Sequence, residues 1–330
     1  MHYPCAERIG LERHGEDMRE LVATPDNPIP EGAVVHHLRT QDGRRLRAAT
    51  FPCPTKPRGT VAVFQGHNEF IEKYFETIEA LRQRGFDVVA LDWRGQAGSE
   101  RELEDPRKGH IDDFSQYQRD LEVFCAEVLR SRPQPWFALA HSMGAAIMLD
   151  MAHETRPPFE RMALTAPMID LHSLRFPRGA RWLADTLDML GLGGWYIPFG
   201  KGRSFLEGPF EGNKLTTDPV RFARNARIVE AAPRLVIGDP TIGWVNAAFR
   251  LMKRFEAPEY ARHIRTPILS FSVGREQIVS NPAIERFAQN LNNGALIQIP
   301  GAKHELLMER DDYRAQFWRA FDAFIPGSGT

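Results

Sequence analysis

The chain has 330 residues, 42% hydrophobic and 26% charged, which suits a soluble globular core with an insertion, or two modest domains. A formal net charge of −1 and the scatter of the basic residues exclude a global field for nucleic acid or anionic lipid. The three cysteines, Cys5, Cys53 and Cys125, form no CxxC pair and point to neither a zinc site nor a disulfide framework. Reduced thiols, a polar N-terminal stretch without the apolar core of a signal peptide, and no apolar run near the roughly 18 residues of a membrane span together predict a cytoplasmic protein.

Residues 1–32 end in "ATPDNPIPEG", a Pro-rich lead-in. "AVVHHLRTQDGRRLRAATF" reads as two strands joined by a turn at Asp42-Gly43. "TVAVFQ" and "FDVVALD" are short valine-rich strands, separated by "FIEKYFETIEALRQRG", a helix with Gly85 as its C-cap. This is a βαβ unit, so the two strands are expected to be parallel. The alternation continues with a helix over 111–131, the strand "WFALA" (136–140), a helix from Gly144 and the strand "RMALTAP" (161–167). Later come the strand "TPILSFSVG", a helix "NPAIERFAQNL" with Pro282 at its first position, the strand "GALIQIP" and a closing helix over 311–325. The expected architecture is a mostly parallel sheet with helices on both faces. Its core is formed by residues 1–167 and 257–330, and residues 168–256 form an inserted helical segment over the sheet end.

"WFALAHSMGAAIMLDMA" places Ser142 on the corner between a buried strand and a helix. A serine hydroxyl is a weak nucleophile that needs a base within hydrogen-bond reach, and such an elbow exposes it beside the N–H groups of a helix start. The turn is tight, so the residues two before and two after must be small, as Ala140 and Gly144 are. An ordinary serine N-cap would use the same residue type. In α/β sheets with such a corner the acid and then the histidine follow in the chain, and ligands bind at the carboxyl ends of the strands. "LIQIPGAKHELL" puts His304 on the loop after the last strand, and "GREQIV" offers Glu276 after the preceding one; Asp170 is the alternative acid. His304, Glu305 and Glu309 lack the spacing of a metal helix. Backbone N–H groups of Met143 and of His67, after the close-approaching Gly66, are the candidate oxyanion donors.

"GFDVVALDWRGQAGSER", "LAHSMGA", "GDPTIGWVNAAFR" and "GAKHELLME", in that order, resemble the lysophospholipase L2 / monoacylglycerol lipase branch of the α/β-hydrolases over roughly residues 33–325. The resemblance implies an α/β-hydrolase fold with a helical cap and a serine hydrolase using Ser142, Glu276 and His304. It also implies ester substrates carrying one acyl chain, such as lysolipids, and no cofactor or metal. Three positions depart from the family pattern: Ala140 and Ala97 stand where glycine is usual, and Glu276 where aspartate is common. Small-ester esterases and S33-type aminopeptidases share these motifs, and a non-catalytic binding protein on the same fold is a further alternative. The apolar stretch containing Leu187, Met189, Leu190, Leu192, Trp195, Tyr196, Ile197 and Phe199 would pack the inserted segment onto the core and is also the stretch placed to supply an acyl channel, with Gly191, Gly193 and Gly194 letting it shift, and the cap is expected to make a transient membrane-surface contact.

Overall fold

The computed structural model describes residues 20–154, 157–172 and 177–327; the polar N-terminal stretch 1–19 lies outside them. Strands β1 (Val34–Arg39) and β2 (Arg45–Phe51) form the expected hairpin, and Gly43 at its turn takes φ +84°. They join β3 (Thr60–Phe64), β4 (Asp87–Leu91), β5 (Trp136–His141), β6 (Arg161–Thr165), β7 (Ile268–Val273) and β8 (Gly294–Ile299). Together these make one sheet of order β1-β2-β4-β3-β5-β6-β7-β8. The β1–β2 and β2–β4 pairs are antiparallel and the remaining neighbours parallel, with Val61 opposite Val88 and Ala62 opposite Ala138.

The central strands are buried on both faces, which is why they read as continuous apolar runs. Side chains still alternate with a period of two. Ala62, Phe64, Val89, Leu91, Ala138 and Leu164 face one core layer, whereas Val61, Val63, Val88, Phe137, Leu139 and Ala163 face the other. Helices α2 (Ser115–Glu127) and α3 (Ser142–Glu154) cover the first face, and α1 (Phe75–Gln83) and α9 (Asp311–Phe324) cover the second. Helix α3 is apolar nearly all round because it is buried nearly all round.

Some boundaries differ from the sequence reading. A 3₁₀ turn (Ile71–Tyr74) precedes α1, and another (Leu129–Ser131) follows the shorter α2. The helix after β5 begins at Ser142 rather than Gly144. Ser280 caps α8 (Asn281–Gln289) through its hydroxyl, so Pro282 takes the second helical position.

Between β6 and β7 the chain is helical, with α4 (Pro177–Leu187), α5 (Pro219–Ala231), α6 (Ile242–Phe255) and α7 (Pro258–His263). Helices α5 and α6 start at side-chain caps: Asp218 accepts from the N–H of Val220 and Arg221, and Thr241 from that of Trp244. Helix α6 buries Trp244, Ala247, Ala248, Leu251, Met252 and Phe255 at helical spacing in the same core layer as α2 and α3. This segment meets loops at the carboxyl ends of the strands. Ile237 pairs with Asn68 after β3, and Leu215 accepts from the Glu305 N–H after β8.

Candidate active site

Ser142 is the first residue of α3, immediately after β5, and its φ of +49° is left-handed. That conformation costs a non-glycine residue roughly 1–2 kcal/mol, strain that the surrounding packing must hold. The packing is tight. A Cβ on Gly144 would lie 2.5 Å from the Gln65 carbonyl and 2.7 Å from that of Phe64. One on Gly66 would lie 2.9 Å from Glu69 Oε2 and 3.3 Å from Ser142 Cβ. Ala140 fits where glycine is usual because its methyl joins the buried layer on the α2 and α3 face.

Three side chains that are distant in sequence meet here. His304 Nε2 lies 3.0 Å from Ser142 Oγ, and His304 Nδ1 lies 2.7 Å from Glu276 Oε2. Both partners of the imidazole sit at the carboxyl ends of parallel strands, Ser142 after β5 and Glu276 after β7, while His304 follows β8. The longer glutamate folds back on its own loop, where Oε1 accepts from the N–H groups of Gln277, Ile278 and Val279 at 2.8, 2.7 and 3.3 Å. Burial opposes ionisation of Glu276, but the His304 charge and these hydrogen bonds outweigh it, so its pKa is lowered. Burial likewise works against a charged His304, and Glu276 reverses it, raising the pKa above 6.5. Asp170 stays apart: its carboxylate accepts from the Leu171 N–H and faces Arg181 at 3.6 Å.

The backbone N–H groups of His67 and Met143, expected as oxyanion donors, have no acceptor among the described residues. His67 lines a cavity of about 220 Å³ together with Ser142 and His304, and Met143 directly follows Ser142 at the start of α3. Its apolar wall includes Met168, Leu171, Leu215, Trp244, Val245 and Ile278. The His67 ring lies 4.3 Å from Trp244, and burial lowers its pKa to about 4, keeping it neutral at pH 7. The stretch 187–199, expected to form an acyl channel, does not line this cavity. Met189 is 81% exposed and Phe199 fully so: both lie beyond α4, Met189 on the π-helical turn Asp188–Leu192, where Gly191 takes φ +78°, and Phe199 on the loop that follows. Gly193 answers to close packing: a Cβ there would meet Asp188 Oδ1 at 2.2 Å.

A buried charged chain beneath the serine was not foreseen. Glu69 Oε2 accepts from the Gly66 N–H at 2.5 Å and from the Tyr74 hydroxyl at 2.7 Å, and Lys73 Nζ joins Glu69 and Glu305 at 2.6 Å each. Burial raises the Glu305 pKa, whereas at Glu69 the Lys73 ammonium overcomes burial and lowers it. The Glu69–Lys73 spacing of four was visible as a helical ion pair, but it also matches a solvated surface pair, and its partner Glu305 lies 232 positions further on.

The profile of the Hydrolase_4 family, described as "Serine aminopeptidase, S33", matches residues 55–311. Lysophospholipase L2 of Escherichia coli strain K12 is 32% identical over 268 residues, covering 77% of this chain and 76% of that protein. Among solved structures, a soluble variant of monoglyceride lipase from Saccharomyces cerevisiae in complex with a substrate analog aligns with a TM-score of 0.70. That match is 18% identical and covers 88% of this chain and 95% of the other. A thermostable carboxyl esterase from Bacillus coagulans aligns with a TM-score of 0.71, also at 18% identity, over 89% and 98% of the two chains. An eight-stranded, mostly parallel sheet and this extent of similarity place the chain in the Hydrolase_4 family: it is an α/β-hydrolase of the lysophospholipase and monoglyceride lipase type.

Proposed function

We propose that the protein is a serine-dependent carboxylic-ester hydrolase acting on lipids with a single acyl chain. The observation that carries the reading is the buried Ser142–His304–Glu276 relay, with 3.0 and 2.7 Å links, opening into an apolar cavity. Ser142 Oγ attacks the ester carbonyl as His304 Nε2 takes its proton. Glu276 fixes the imidazole tautomer and stabilises the imidazolium. The His67 and Met143 N–H groups hold the oxyanion. The tetrahedral intermediate collapses with cleavage of the bond to the alcohol oxygen, which receives the proton from His304. Water, deprotonated by His304, then attacks the acyl-enzyme and releases the fatty acid, restoring Ser142.

Residues 168–256 act as a cap in this reading. Trp244, Val245 and Leu215 wall the acyl site, and the outward Met189, Leu190, Trp195 and Phe199 touch lipid surfaces transiently. Among the described residues no helix is long and apolar enough to cross a membrane, so any such contact is peripheral. A second reading, cleavage of aminoacyl amides, is favoured by one feature: Glu305, on the cavity wall, has an unpartnered Oε2 that could accept from a free amino group. The test is kcat/KM for lysophospholipids, monoacylglycerols, short p-nitrophenyl esters and aminoacyl amides. Monoacyl lipids are expected to be turned over fastest; faster turnover of the amides would replace the lipid reading with the second one.

A further inference from the structure

The loop that carries His67 is splinted by one buried side chain that the proposed mechanism does not use. Gln96 is 2% exposed and lies on the loop after β4. Its Nε2 donates to the Gly66 carbonyl at 2.9 Å and to the Glu69 carbonyl at 3.0 Å, and its Oε1 accepts from the Asn68 N–H at 3.1 Å. The Gly66 N–H is taken by Glu69 Oε2. The groups flanking His67 are therefore engaged on both sides, whereas its own N–H has no acceptor among the described residues and His67 itself lines the cavity. Gln96 is itself fixed by its backbone, between Gly95 at φ +79° and Ala97 at φ +50°, with its N–H donating to the Trp93 carbonyl. An amide is the side chain that can donate twice and accept once in this plane; a carboxylate would face two carbonyl oxygens. We infer that Gln96 is a positioning residue for ester hydrolysis, holding the 66–69 loop so that the His67 N–H is preset for the oxyanion. The inference rests on the oxyanion role proposed for His67.

The experiment compares a soluble ester with its thionoester, whose sulfur is a poor hydrogen-bond acceptor and draws little on the oxyanion donors. Gln96→Met, close in volume and without amide hydrogen bonds, is expected to lower kcat for the ester by roughly 10–100-fold, somewhat less than removing a donor outright. Its KM should stay within about twofold, and kcat for the thionoester should fall by less than about threefold. Gln96→Asn, which keeps both hydrogen-bonding functions one methylene short, should lie between Gln96→Met and wild type, and serves in its place if Gln96→Met does not fold. Equal losses on both substrates, or no loss on the ester in a folded variant, would overturn the inference. A wild-type enzyme that shows no preference for the ester over the thionoester would instead overturn the oxyanion role of His67 itself.

Discussion

At Ala97 a left-handed φ of +50° falls on a residue with a Cβ, at a position where the family usually has glycine. Gly would relieve roughly 1–2 kcal/mol of that strain but forfeit about 0.5–1 kcal/mol through the freer unfolded chain. Ala97→Gly is therefore expected to raise Tm by one to a few degrees, readable by calorimetry; a lower Tm would show that the methyl packs better than the strain costs. At the triad the prediction concerns pH. In the proposed mechanism a neutral His304 is the base, and its pKa is raised above 6.5 because Glu276 outweighs burial. The kcat/KM of the wild type should thus fall, as pH decreases, through a midpoint above 6.5. In Glu276→Gln burial persists without that carboxylate charge, so the midpoint should move down while kcat drops by about ten-thousandfold. Asp170→Asn, beside Arg181, should change neither. A large loss in Asp170→Asn together with a small one in Glu276→Gln would reassign the acid.

Two elements set the serine's position, and they touch at glycine. Helix α3 passes so close to the end of β3 that a methyl on Gly144 would press into the carbonyls of Phe64 and Gln65. Gly144→Ala should destabilise by about 1–3 kcal/mol and lower kcat, because the elbow must open to admit it; an unchanged urea midpoint would contradict the tight-elbow account. The elements that position the site were legible because their signals are local. Valine-rich runs mark β3 and β4, helical spacing marks α1 and α9, and small residues flank Ser142. What stayed hidden depends on tertiary placement. The apolar composition of 187–199 does not say which way the stretch faces, and the structure turns Met189 and Phe199 to solvent while Trp244 and Leu215 line the cavity. Glu69, Lys73 and Glu305 come together only when β3 and β8 have taken their places in one sheet. The left-handed turn at Ala97 was concealed because alanine does not announce it.

For the molecule as a whole, the division between a walled cavity and an outward apolar rim makes two separable predictions. Each buried methylene contributes about 0.8 kcal/mol, so kcat/KM on monoacyl esters below their micelle concentration should rise by up to roughly fourfold per CH₂ until the cavity is full. A flat profile would favour a small-ester hydrolase. The rim should matter only where lipid is assembled. Met189→Ser combined with Phe199→Ser is expected to weaken vesicle binding severalfold in a sedimentation assay while leaving turnover of a soluble short ester within about twofold. Equal vesicle binding by this variant and wild type would remove the rim from the account. The central claim, that Ser142 forms an acyl-enzyme with His304 as base, is tested most directly by one comparison of wild type with Ser142→Ala. A labelled fluorophosphonate and turnover of a monoacyl ester are followed on protein shown to be folded. The wild type should be modified at Ser142, and Ser142→Ala should resist the reagent and lose on the order of a millionfold in kcat. A folded Ser142→Ala protein that keeps more than a few per cent of wild-type turnover would contradict it.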